Sequence, residues 1–182
     1  MWLGAANSAR FVSAPITRPA GTQWISAMTH ISSDHEESCV FCQSLHPMAP
    51  DDGFVVYEDE LVAASHTIDG DGQTYLGHFA LQSKRHARGF AELTDAEAQA
   101  IGLAVSRVSW AIKQCTAAEN VYEICFAEVV PHLHVLMTAR YPGLPQEYWR
   151  MNVFGWPDAP RGDDADVRQL CAHMRQVLAS GG

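Results

Sequence analysis

The sequence predicts an α+β domain with an antiparallel sheet of about five strands, a long helix and a C-terminal helix. Three observations carry that prediction. Short apolar or alternating runs bounded by turn residues occur at "FVVYEDE", "LVAASH" and "HFALQSK". A stripe at helical period follows, then two more short runs, then a second helical stripe. The order strand-strand-strand-helix-strand-strand-helix is the pattern of segregated α+β folds.

Residues 1–33 contain Arg10 and Arg18 but no acid; the first acidic residue is Asp34. This leader lacks the Arg-rich amphipathic pattern of a transit peptide and reads as a disordered tail, or as an upstream extension of a native start at Met28. The domain is expected over 34–145. "FVVYEDE" and "LVAASH" read as strands joined by Glu58, Asp59 and Glu60. "HTIDGDGQTYLG" reads as a glycine-containing loop, and "HFALQSK" as a third strand. At Thr94–Glu97, "TDAE" is a capping box: Thr94 can accept from the amide three residues on, and Glu97 can reach back. Behind it Ile101, Val105, Val108, Ile112 and Cys115 make one apolar helix face. "VYEICFAE" and "HLHVLMT" read as an antiparallel hairpin separated by Glu128 to Pro131. Residues 146–182 form a C-terminal extension, expected to pack on the domain or on a dimer partner. Its aromatic, Pro- and Gly-rich first part is too irregular for a helix. Its last part is a helix capped by Asp163 or Asp164, with Val167, Leu170, Cys171, Met174, Val177 and Leu178 as its apolar stripe.

Composition narrows the function classes. With 182 residues and 47% hydrophobic residues, one sizeable core can form. The net charge of −9, from 21 acidic against 12 basic residues, argues against binding nucleic acid or an anionic membrane through a basic surface. No apolar run approaches the length of a membrane span. Five cysteines, one CxxC pair and no secretory signal fit a reduced, cytoplasmic setting better than a disulfide framework.

The chemistry concentrates in "VVPHLHVLMTAR". In a strand, His132, His134 and Leu136 point one way and Leu133, Val135 and Met137 the other. The second set is the core face, so two imidazoles share the opposite face. A half-exposed strand with polar outward residues is the plain alternative. Upstream, "SCVFCQ" sets Cys39 and Cys42 at the spacing of a zinc knuckle, which is only half of a four-ligand site. His86 in "SKRHARGF" and His132 are the candidates for the other half; a redox pair or two buried thiols are the alternatives. His78, after a glycine in "YLGHFAL", is either a strand-edge residue or part of a histidine cluster. Glycine-rich phosphate loops, GxSxG elbows and HExxH helices are absent from the sequence.

Taken together, "CVFC", "VVYEDELVAASH", "GHFALQSKRHARGFAELT", the capped helix and "VPHLHVLMTAR" resemble the histidine-triad (HIT) superfamily in order and spacing, over about Cys39 to Arg140. The resemblance implies a nucleotide-binding α+β fold, a homodimer, and hydrolase or nucleotidyl transferase chemistry at the α-phosphate of a nucleotide. The middle motif histidine, here His134, would attack phosphorus and form a covalent nucleotidyl-histidine. A zinc-bearing branch implies the ligand set Cys39, Cys42, His86 and His132, with the metal structural. His78 would be a phosphate or relay partner. The resemblance places substrate-binding at His66, Thr67 and Glu128: Thr67, after His66, falls where relatives bind ribose, and Glu128 falls in the stretch "FAEVV", which is shorter here than the glycine-rich segment of relatives. Leu136 stands where relatives carry a third histidine, so a slower or leaving-group-restricted enzyme is expected, with a nucleotide-binding scaffold as the alternative.

Overall fold

The computed structural model describes residues 39–45, 53–68 and 73–181. The leader expected over 1–33 lies outside the described residues. The elements are α1 (Val40–Ser44), β1 (Val55–Glu58), β2 (Val62–His66), β3 (Thr74–Tyr75), β4 (His78–Ser83), α2 (Asp95–Thr116), β5 (Asn120–Ile124), β6 (His134–Arg140), β7 (Arg161–Gly162) and α3 (Asp164–Gly181). The main sheet has five strands in the order β1-β2-β4-β6-β5, all paired antiparallel. β3 and β7 form a separate two-stranded ladder.

α2 begins as the sequence dictates. Thr94 Oγ1 accepts from the Glu97 amide at 3.2 Å, and Glu97 returns a carboxylate to the Thr94 amide at 2.8 Å. Removing such a cap costs about 1 kcal/mol. The helix ends at Ala117, whose φ of 56° is left-handed. Ile101, Ala104, Val108, Ala111 and Ile112 are its buried residues beside Glu97, and they pack on the sheet. α3 starts where Asp163 Oδ1 accepts from the amides of Ala165 and Asp166, at 2.9 and 3.1 Å. Its Val167, Cys171 and Met174 enter the same core, as do Val153 and Ala159. α2 lies against β2, β4, β5 and β6, and α3 against α2 and β1. Both helices therefore cover one face of the sheet.

Three local expectations change. The strand around "HLHVLMT" runs His134–Arg140, not from His132, and its partner stops at Ile124. The reason is backbone bonding: Pro131 has no N–H to offer a ladder, the His132 amide turns back to Val130 O at 2.8 Å, and the Leu133 amide goes to Ala87 O at 2.5 Å. His132 therefore stands ahead of the strand. The expected loop after His66 contains β3, whose pairing to β7 ties it to the C-terminal extension. The aromatic first part of that extension, expected to be irregular, contains 3₁₀ turns at Gln146–Tyr148 and Arg150–Gly155.

Candidate metal centre and reaction face

Four chemistry-bearing side chains meet at one end of the sheet. Cys39 precedes α1 and Cys42 lies in its first turn, so the CxxC spacing presents both sulfurs on one side. His86 comes three residues after β4, and His132 two residues before β6. The ligand atoms of Cys39, Cys42, His86 and His132 all lie within 4.8 Å of one another. His132 Nδ1 is 3.4 Å from each sulfur, and Cys42 Sγ is 3.2 Å from His86 Nδ1. A tetrahedral zinc with bonds of about 2.3 Å to sulfur and 2.0–2.1 Å to nitrogen separates such atoms by roughly 3.5 Å. The donor set and its spacing fit that metal. Convergence of two imidazoles on the thiols is needed by a metal site and not by a bare redox pair.

The second layer of bonds fixes which nitrogen of His132 is available. Its Nε2–H donates to Ser83 O at 2.8 Å, so the Nδ1 lone pair faces the sulfurs. Ser83 Oγ in turn donates to Arg85 O at 2.9 Å. The Arg85 guanidinium donates to both carboxylate oxygens of Glu97, each at 2.7 Å, and to Glu92 O at 2.8 Å. That bidentate pair, opposed by burial, holds the Glu97 carboxyl down to about 2. The loop that carries His86 is thereby fastened to the start of α2.

His134 makes the opposite choice. Its Nδ1 bonds the His132 carbonyl oxygen at 2.8 Å, which puts the proton on Nδ1 and leaves Nε2 as a lone pair. The ring is half-buried, and the Phe41 ring lies against it with centroids 4.4 Å apart and a tilt of 31°. Register assigns the neighbours. The pairs Gln82–His134, Ala80–Leu136 and His78–Thr138 share the face opposite the helices, because the alternate pairs Phe79–Met137 and Leu81–Val135 fill the core. Ile124 of β5 also pairs with Leu136. Gln82 Nε2 donates to Ser44 Oγ at 3.2 Å, and His78 Nδ1 lies 2.9 Å from Thr138 Oγ1. His134 and His78 are thus two pair-steps apart, roughly 13 Å along the sheet. The space between them is floored by Ala80 and Leu136.

The remaining expected site residues fall in three places. Thr67 joins His78: its amide and hydroxyl both donate to His78 O, at 2.9 and 3.2 Å. Glu128 is exposed in the β5–β6 connection. His66 is not brought together with His134. It pairs with Phe79 on the helix-covered face, with ring centroids 4.6 Å apart. Its Nε2 accepts from the Gly77 amide at 3.0 Å and its Nδ1 donates to Thr67 O at 2.6 Å. His66 is therefore a brace that orients Thr67. Gly77 itself has φ +84°, and an added Cβ would come within 2.8 Å of Ala139 Cβ, so glycine before His78 is required by space as well as by conformation. Sequence reasoning missed Phe41, Ser83, Gln82 and the Arg85–Glu97 pair. The x-x of CxxC was the one signal for Phe41, since an aromatic between two ligands must lie beside whatever they bind.

No family model and no curated protein matches the sequence. Solved structures match with probability 1.00 at low identity. A hypothetical histidine triad nucleotide-binding protein from Sulfolobus tokodaii is similar at 21% identity and a TM-score of 0.59, over 78% of this chain and 93% of that one. A zinc-bound histidine triad family protein from Mycobacterium smegmatis is similar at 18% identity and a TM-score of 0.57, over 80% of this chain and 96% of that one. A HIT-like protein involved in cell-cycle regulation from Bartonella henselae, crystallised with an unknown ligand, is similar at 18% identity and 0.56, over 78% and 97%. The fold of this chain is therefore the histidine-triad fold.

Proposed function

We propose that this protein is a nucleotide hydrolase or nucleotidyl transferase that acts at an α-phosphate through His134, with a structural zinc held by Cys39, Cys42, His86 and His132. The observation that carries the reading is the His134 tautomer: its Nδ1–H is spent on the His132 carbonyl, so Nε2 is left with the lone pair a nucleophile needs, on the sheet face opposite the helices. Nε2 attacks phosphorus, the N–P bond forms as the bond to the leaving group breaks, and the leaving group takes the electron pair. Water or another acceptor then attacks the same phosphorus and returns the pair to Nε2. Zinc with four protein ligands has no open position, so when bound it fixes the chain and takes no part in this step. His78 and Thr67 serve the far end of the substrate, Glu128 lies on the rim, and His66 acts through Thr67. We take the active form to be a homodimer.

A second reading, a nucleotide-binding scaffold without turnover, is favoured by one observation. Leu136 lies between Ala80 and Ile124, which makes the patch next to His134 apolar where leaving-group protonation would need a donor.

The test is incubation of the full chain with nucleoside phosphoramidates, dinucleoside polyphosphates and nucleotide sugars, quenched in alkaline denaturant and weighed intact. A mass gain of one nucleotidyl group, absent in His134→Asn, supports the enzyme. Nucleotide binding with no adduct and no product supports the scaffold.

A further inference from the structure

α1 has little of its own to hold it in place. It has five residues, none of them buried, and the Cys39 side chain gives it no cap. A helix this short is unstable alone in water. Three things fasten it to the sheet. The sulfurs of Cys39 and Cys42 face His86 and His132, Ser44 Oγ accepts from Gln82, and the Phe41 ring rests on the two motif histidines. Phe41 lies between the two cysteines in sequence and contacts His132 at 5.5 Å and His134 at 4.4 Å between centroids. Gln82, the other anchor, is the residue directly across from His134. The contacts of Cys39, Phe41, Cys42 and Ser44 thus end either on a candidate metal ligand or beside His134.

We propose that metal occupancy controls the His134 site through α1, with Phe41 as the positioning residue. Zinc bound to both thiolates locks α1 across the end of the sheet. Phe41 then covers one side of the His134 imidazole and keeps Nε2 directed at the face opposite the helices. When the metal leaves, the two strongest tethers go with it, α1 detaches, and His134 loses its aromatic wall while the rest of the domain stays folded. The core beneath the other face of the sheet is built largely from β2, β4, β6, α2 and α3 and contains no residue of α1. The catalytic consequence rests on the His134 reading above; the structural coupling does not.

The experiment uses the full chain with ¹³C-labelled histidine, His134 being assigned by the signal missing from His134→Asn. An aromatic ring over the imidazole shields its Cε1 proton. In zinc-loaded protein the His134 signal is expected upfield; in Phe41→Leu it moves downfield with zinc content unchanged, and in Phe41→Tyr it stays near the wild-type position. Chelation moves the wild-type signal to the Phe41→Leu position, and added zinc restores it. In turnover, Phe41→Leu lowers kcat roughly ten- to a hundred-fold, since small misplacement of a reacting group costs that much. A His134 signal unmoved by Phe41→Leu overturns the proposal. So does a wild-type signal unmoved after the metal has gone, or collapse of the whole spectrum on chelation, which would make the metal a support of the domain and not a control of α1. Absence of turnover in every form would defeat the His134 chemistry instead, because the coupling is read without substrate.

Discussion

His132 and His134 are two residues apart, yet they use opposite nitrogens. His132 is fully buried, spends Nε2–H on the Ser83 carbonyl and turns Nδ1 to two sulfurs. His134 is half-buried, spends Nδ1–H on the His132 carbonyl and leaves Nε2 free. Residue type does not separate the candidate ligand from the proposed nucleophile here. The backbone carbonyl offered to each ring does. One end of the sheet thereby carries a four-residue cluster that could hold a metal, and the face opposite the helices carries a row from His134 over buried Ala80 and half-buried Leu136 to His78.

Each end can be broken separately. The largest expected effect is on the His134 face: His134→Asn lowers turnover by roughly 10⁴-fold or more, as loss of a nucleophile does, and leaves zinc content at about one per chain. Metal analysis beside steady-state rates checks this. At the cluster end, Cys42→Ala removes zinc and lowers Tm by about 10 °C, with a folded circular dichroism spectrum retained. Zinc retained at wild-type stoichiometry would show that this thiol is not a ligand.

The Arg85–Glu97 pair sharpens the comparison from behind the metal loop. Glu97→Gln costs about 2 kcal/mol, read as a shift in the urea midpoint. The pH dependence follows from the same group. The folded-state pKa of Glu97 is depressed from 4.5 to about 2, so its contribution is complete above the unfolded value and is lost as pH falls from about 5 toward 2. Wild-type stability should decline across that window more steeply than that of Glu97→Gln. The smallest effect expected is a gain: Leu136→His raises turnover about tenfold on substrates with poor leaving groups, less than a fully positioned general acid supplies. Equal rates before and after the change would favour a pocket specialised around leucine.

Much of this was legible in the sequence because periodic burial leaves a periodic trace. The α2 face, its Thr94–Glu97 box and the antiparallel strands follow from side-chain alternation and capping, which are local. The four candidate metal ligands, which the fold brings within 4.8 Å of one another, were nominated from spacing and residue chemistry. Three things were not legible. His132 looked like the first residue of a strand, because alternation continues through Pro131 to Leu133 in letters while the backbone bonds of that segment go to Val130 and Ala87. His66 looked like part of the substrate site, because the sequence cannot say which face the last residue of β2 takes; the register with Phe79 does. Phe41 was hinted at only by its place inside CxxC. Its partners lie more than 90 residues away, and only the fold brings them together.

The central claim is the opposite choice of nitrogen in the two motif histidines. Long-range ¹⁵N–¹H correlation of the imidazoles in zinc-loaded protein reads it directly. The account predicts a proton on Nε2 and a metal-shifted Nδ1 in His132, and in neutral His134 a proton on Nδ1 with a bare Nε2. A neutral His134 carrying its proton on Nε2 would contradict it, since Nε2 would then have no lone pair with which to attack phosphorus.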